Sequence, residues 1–276
     1  MNYRHGYHAG NFADVVKHVA LVAIVEHLKK KDTAFRVIDS HAGRGLYDLR
    51  DGPPRATGEA DGGIARLQDL RDAPGALGSY LELVRGLGAQ RYPGSPLLAA
   101  MLLRPQDGLV AIEKHPEESA ILKDVLAPFR GAVAETGDGY ARLLKLLPPP
   151  SRRGLVVIDP PFEAADEFTM LARILAGAQR KFATGIYLVW YPVKTQSAVD
   201  AFAGEVLAGG VQKALTVEIA VAPPSAHMTR AGVLVVNPPF GFDGEMRSVA
   251  QILAPRLGAD AGTSADIQVA WRAGGP

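Results

Sequence analysis

The chain has 276 residues, 30 lysines and arginines against 29 aspartates and glutamates, and no cysteine. That length suits one large α/β domain or two small ones, with a sizeable core. The missing cysteines exclude disulfides, thiolate metal sites, iron–sulfur clusters and a cysteine nucleophile. The net charge of +1 excludes a highly basic nucleic-acid coat but leaves room for a local basic patch. The longest early apolar run, Val19 to Val25, is far short of the roughly 20 residues that span a bilayer. Residues 1–10 carry Arg4, His5 and His8 instead of an apolar signal-peptide centre. A cytoplasmic protein with no membrane partner is expected.

The first predicted element is a helix over 11–31, with Phe12, Val15, Val16, Val19, Val22 and Ala23 at helical spacing and Asn11 with Asp14 as a capping pair. A strand from Phe35 to Ile38 follows. From about Arg50 to Tyr92 no good strand appears. Two short helical patterns stand there, one with Ile64, Leu67 and Leu70 and one with Tyr80, Leu81, Val84 and Leu87. They predict a small helical insertion, because long structureless loops are rare in compact domains. Further strands are predicted at Leu109 to Ile112, Val133 to Thr136, Leu155 to Ile158, Ile186 to Val189, Leu215 to Val221 and Val233 to Val236, with a short last one at Ile267 to Trp271. Helices fit between them, at 117–127, along Phe168, Leu171, Leu175, Ala178 and Phe182, and after a Thr195 cap. The alternation predicts a mostly parallel sheet with helices on both faces.

Ligands of such sheets lie outside the carboxyl ends of the strands. The first strand ends in Asp39-Ser40-His41-Ala42-Gly43-Arg44-Gly45, small residues that let a ligand approach the backbone. It is not the dinucleotide G-x-G-x-x-G pattern. The second ends at Glu113, placed to accept from ribose hydroxyls, and the third at Asp138-Gly139, where Asp138 is either an acceptor for an adenine amino group or a helix cap.

The strongest local signal is Leu155-Val156-Val157-Ile158 running into Asp159-Pro160-Pro161-Phe162. Two prolines stiffen the turn. Asp159 and the Pro160 carbonyl can both accept from one exocyclic NH₂, and Phe162 offers a stacking face for a base. That set suits methyl transfer to an adenine amino nitrogen. The nitrogen lone pair is delocalised into the ring, so accepting its hydrogens assists attack. A second candidate, Asn237-Pro238-Pro239-Phe240, follows a late strand predicted to be antiparallel, and is read as structural. The cluster Tyr3, Arg4, His5, His8, Lys17 and His18 reads either as a solvated polar arm or as a substrate-facing lid, with aromatic rings for stacking and cations for phosphates. His5, His8 and His18 lack the company of an H-E-x-x-H pattern, so no metal is expected. Arg4, Lys17, Arg152, Arg153, Arg180 and Lys181 are candidate phosphate contacts.

The opening Tyr3-Arg4-His5, His8-Ala9-Gly10-Asn11, Ala13-Asp14-Val15 and Lys17-His18 resembles the start of the RlmJ family, bacterial 23S rRNA adenine-N6 methyltransferases. The resemblance runs on through Asp39 to Gly43, Tyr92-Pro93-Gly94-Ser95-Pro96, Ser151 to Gly154, Asp159 to Phe162, Phe182 to Tyr187, Trp190-Tyr191-Pro192 and Asn237-Pro238-Pro239. It implies a Rossmann-like, S-adenosylmethionine-dependent methyltransferase fold, a seven-stranded mostly parallel sheet with an N-terminal helix. Residues 1–276 would form one domain, with 50–92 as a helical insertion subdomain. Carried onto matching positions, His18, His41, Ser95, Glu113, Asp138, Gly139 and Asp159 would contact S-adenosylmethionine. Asp159, Pro160 and Phe162 would carry catalysis. Tyr3, His5 and Lys17 would face the RNA. The implied partner is 23S rRNA, free or partly assembled, acted on by a monomer. Phe162, where tyrosine is also used, Ser40, where threonine is also seen, and Arg44 in the glycine loop are the departures. Two alternatives stay open on the sequence: an amino methyltransferase acting on DNA adenine or a protein amide, and a non-catalytic RNA-binding assembly factor.

Overall fold

A computed structural model of the chain describes residues 8–50, 58–223, 228–259 and 262–275. Helix α1 (Phe12–Lys29) opens it, and fifteen of its eighteen residues are buried. Its many valines are mediocre helix formers, so tertiary burial and a good cap hold it rather than propensity. The Asn11 side chain accepts from the Asp14 amide at 2.8 Å, and Asp14 reaches back to the Gly10 amide at 2.9 Å.

The strands of the main sheet are β1 (Arg36–Asp39), β4 (Gly108–Glu113), β5 (Ala132–Thr136), β6 (Gly154–Ile158), β7 (Ile186–Pro192), β8 (Ala214–Ala220), β9 (Arg230–Val236) and β10 (Asp266–Ala273). They lie in the order β10-β8-β9-β7-β6-β1-β4-β5. The five from β5 to β7 are mutually parallel, while β9 is antiparallel to both β7 and β8, and β10 to β8. The sheet thus has eight strands where seven were expected. The addition is the last strand, eight residues long where a short one was expected at Ile267 to Trp271, and its exposed edge alternates polar and apolar residues.

Side chains of the central strands alternate between two cores. Leu155 and Val157 face one that contains α1, together with α2 (Gly75–Gly86), α3 (Ser95–Leu102), α4 (Pro116–Leu126) and α8 (Phe242–Leu253). Val156 and Ile158 face the other, with α5 (Gly139–Leu146), α6 (Glu167–Lys181) and α7 (Gln196–Ala208). The result is three layers, α/β/α.

The stretch 50–92 carries two 3₁₀ turns, Glu59–Gly62 and Ile64–Leu67, followed by α2. A two-stranded antiparallel ribbon, β2 (Leu46–Asp48) with β3 (Arg91–Pro93), closes its base. β3 begins at Arg91, at the end of the stretch from about Arg50 to Tyr92 where no good strand was expected. The first 3₁₀ segment leans on the start of α1: a Cβ on Gly63 would stand 2.1 Å from the Gly10 carbonyl, so only glycine fits.

Candidate active site

The carboxyl ends of β1, β4, β5 and β6 border a cavity of ≈ 260 Å³. His41, Gly43, Glu113, Asp138, Gly139 and Asp159 line it. Glu113 is braced by backbone donors, the Gly43 amide at 2.9 Å and the His115 amide at 2.7 Å. Asp138 caps α5 through the Ala141 amide at 3.1 Å and also stands on the cavity wall, held by Lys114 at 2.9 Å. The Lys114 hydrogen bond keeps its carboxyl below the usual range. Gly139 is there because the loop after β1 crosses it, and a Cβ would meet the Ser40 carbonyl at 1.9 Å. The far wall is Tyr140, whose hydroxyl donates to Glu167 at 2.6 Å.

A second cavity of ≈ 190 Å³ opens beside the first. Its walls include His8, Lys17, Phe162, Trp190, Lys194 and Met228. Asp159 and Pro161 line both cavities. Phe162, at φ +51°, meets Trp190 and Phe168 edge-on, with ring centroids 5.7 and 5.1 Å away. His8 joins the first 3₁₀ turn through Glu59 at 2.9 Å, and that bond raises its pKa.

Between the cavities lies a buried ion triad. Lys17 Nζ stands 2.8 Å from Asp14 and 2.5 Å from Asp159, with its side chain 2% exposed. Burial opposes the ammonium charge, but the two carboxylates outweigh it and raise the pKa above the ordinary lysine value. Lys17 lines the second cavity, but its cation is shared by two carboxylates inside the protein, which sets it apart from an ordinary phosphate contact. Among the described residues Asp159 receives no other hydrogen bond than that of Lys17 on Oδ2, which leaves Oδ1 for a ligand.

His18 and Ser95 line neither cavity. His18 is wholly buried, its Nδ1 2.7 Å from the Tyr92 hydroxyl, which in turn meets that of Tyr80 at 3.0 Å. Ser95 donates to Asp39 at 2.6 Å. In this structure both support the wall from behind. Tyr3, Arg4 and His5 lie outside the described residues. Arg153 donates to the carbonyls of Thr33 and Leu28, and Lys181 to that of Leu144, so these two cations serve backbone oxygens. Asn237 donates to the carbonyls of Ala183 and Gly185, both at 2.8 Å, at the opposite end of the sheet, as the antiparallel direction of β9 requires. Asp14, Trp190 and Lys194 escaped the sequence reading as site residues. The Asp14-x-x-Lys17 spacing on one helix face was the available signal for the first.

Buried Asp39 and half-buried His41 set a pH signature. Burial pushes the His41 imidazole down to about 4, so it is neutral at pH 7. In the unfolded chain it titrates near 6.5, so His41 costs folded-state stability as pH falls from about 6.5 to about 4. Asp39 has the opposite sign. Burial raises it to about 6, although the Ser95 hydrogen bond pulls the other way, so the folded state gains as pH falls from about 6 toward the unfolded value of 3.8. His41→Asn removes only the first contribution. Relative to wild type, that variant is expected to gain about 2 kcal/mol between pH 6.5 and 4, the full linkage value being reduced by partial solvent access. Urea denaturation across that window checks it, and parallel curves for the two proteins would refute it.

Comparison with known proteins adds to this geometry. Residues 32–273 match the family described as ribosomal RNA large subunit methyltransferase D, RlmJ. The chain is 39% identical to the ribosomal RNA large subunit methyltransferase J of Escherichia coli, over 98% of each chain. It is 36% identical to the protein of the same name from Haemophilus influenzae, over 93% of this chain and 94% of that one. A crystal structure of a Legionella pneumophila protein superposes with a TM-score of 0.87 at 32% identity, covering 95% of this chain and 98% of that one. A probable spermidine synthase from Corynebacterium glutamicum, at TM-score 0.52 and 13% identity, shares the fold alone.

Proposed function

Since the chain belongs to the RlmJ family and is a methyltransferase acting on ribosomal RNA, we propose that it methylates the exocyclic N6 of one adenine in 23S rRNA, with S-adenosylmethionine as donor. The observation that carries this is the position of Asp159 and Pro161 as the common wall of two cavities. A donor in the first and an extruded base in the second would meet there.

The residues of the first cavity fit S-adenosylmethionine. Glu113, fixed by two backbone amides, suits ribose hydroxyls, and Asp138 suits an adenine amino group. The glycine-bearing loop after β1 admits the remainder close to its backbone. When bound, the donor supplies an electrophilic methyl on a sulfonium.

The chain does the rest by holding the acceptor. Phe162 and Trp190 offer apolar walls for the base. Oδ1 of Asp159 and the Pro160 carbonyl accept the two amino hydrogens and draw the nitrogen lone pair out of conjugation. Lys17 fixes Oδ2, so the carboxylate has one orientation. Fixed acceptors beside a positioned electrophile account for much of the expected acceleration. Methylation leaves the nitrogen with one proton to shed, and that proton passes to water. Tyr3 and His5 belong to this reading as RNA contacts. It takes residues 1–276 as one catalytic domain with the 50–92 insertion, acting as a cytoplasmic monomer on free or partly assembled RNA.

The test is nucleoside mass spectrometry of 23S rRNA from cells lacking the protein, before and after incubation with the purified enzyme and labelled S-adenosylmethionine. Label in N6-methyladenosine at a single site is the expected result. Label in another nucleoside, or in DNA alone, would refute the reading.

A further inference from the structure

The insertion has a cavity of its own, ≈ 250 Å³, nearly the size of the first active-site cavity. Its floor is apolar: Leu49, Ile64, Leu67, Leu81 and Val84. Its rim holds three guanidinium groups, Arg71, Arg85 and Arg91, with Gln68 beside them.

None of the three arginines has a carboxylate partner among the described residues. Two nearby acids are engaged elsewhere, while Asp72 and Glu82 are exposed to solvent. Asp48 is bonded to Arg50, although it also feels the charge of Arg91, and Asp69 is paired with Arg256 at 2.8 Å. Arg85 gives one nitrogen to the Leu70 carbonyl, but its Nε is buried without a hydrogen-bond partner among the described residues. A buried donor left unpaired costs about 1–3 kcal/mol, and three like charges around one hollow repel. Phosphate oxygens would offset these like charges, and an unstacked base would suit the apolar floor.

The position is as informative as the composition. Ile64, in the cavity floor, donates its amide to the Gly10 carbonyl at 2.9 Å. The next residue, Asn11, lines the second active-site cavity. The floor of this cavity is therefore joined to the wall of the second active-site cavity through a single backbone hydrogen bond.

We infer that the Arg71–Arg85–Arg91 cavity is a second RNA site, taking the phosphates and an unstacked base of the rRNA segment flanking the target adenine. This deepens the proposed function and rests on it for the identity of the RNA. The site anchors the substrate and takes no part in methyl transfer.

Arg71 and Arg91 are exposed, so the double variant Arg71→Gln/Arg91→Gln should fold normally. Wild type and variant are compared on a 23S rRNA fragment containing the target, by equilibrium binding over a salt series and by methylation with mass-spectrometric readout. The variant is expected to bind about 10-fold more weakly at 0.1 M salt. Its slope of log K against log salt should flatten by about 1.5, the loss of two phosphate contacts. Its kcat at saturating RNA and its affinity for S-adenosylmethionine should not change. Methylation by wild type with the same affinity and salt slope in both proteins would overturn the second site and leave the adenine-N6 reading standing. Arginine-dependent binding without any N6-methyladenosine formed by wild type would uphold the second site and overturn that reading.

Discussion

Asp159→Asn is expected to lower kcat by about 10³ or more while leaving the fold intact. The substitution keeps the size of the side chain at the end of β6 but puts a donor where an acceptor is needed. If the amide presents its NH₂ toward the amino group, two donors face each other and the base loses its grip. If it presents its oxygen, the NH₂ turns toward the Lys17 ammonium, now bonded to Asp14 alone. Either orientation spoils one half of the arrangement. Single-turnover methylation of an rRNA fragment measures the effect, and equilibrium binding of S-adenosylmethionine separates chemistry from donor affinity. Activity within 10-fold of wild type would mean that Asp159 does not hold the reacting nitrogen.

Lys17→Met has a different expected signature, a large loss of stability together with a large loss of activity. The methionine fills similar space but leaves Asp14 and Asp159 buried and close with no cation between them. Breaking a buried ion pair from one side costs about 3–5 kcal/mol. Urea denaturation should show a loss on that scale. The double variant Asp14→Asn/Lys17→Met should recover part of the stability but none of the activity, because Asp159 remains without its anchor. A Lys17→Met protein with wild-type stability and a raised KM for RNA alone would restore the reading of Lys17 as a phosphate contact.

The contrast between these two residues explains what could be read from the amino acids alone. Asp159 declares itself locally: an apolar strand, a carboxylate, two prolines and an aromatic are contiguous, and chain order puts that strand beside β1. The same logic separates Asp159 from Asn237, whose surrounding tetrapeptide is nearly identical but whose strand runs the other way. Lys17 declares nothing, because its partner Asp159 is 142 residues away. A lysine on a helix near the start of a chain looks like surface until tertiary packing buries it. His18 and Ser95 come from family likeness, and in this structure His18 Nδ1 meets the Tyr92 hydroxyl and Ser95 donates to Asp39. Most strands of the main sheet are legible because their apolar runs are long enough to carry a pattern. The β2–β3 ribbon is not, having three residues a side. Helix α3 hides for the opposite cause: Ser95 to Leu102 is apolar almost throughout, so no periodicity marks it.

Helix α1 is both the central pillar of one core layer and the bearer of Asp14 and Lys17. Each of its large aliphatic side chains contributes on the order of 1.5–3 kcal/mol by burial. A shortened version beginning at β1 would therefore not be a trimmed enzyme with a missing accessory. It would be a hollow shell whose exposed sheet face invites aggregation, and its DPPF corner would have lost its counter-charge. Durability and chemistry are welded into one stretch of eighteen residues, so selection or engineering cannot adjust either without disturbing the other.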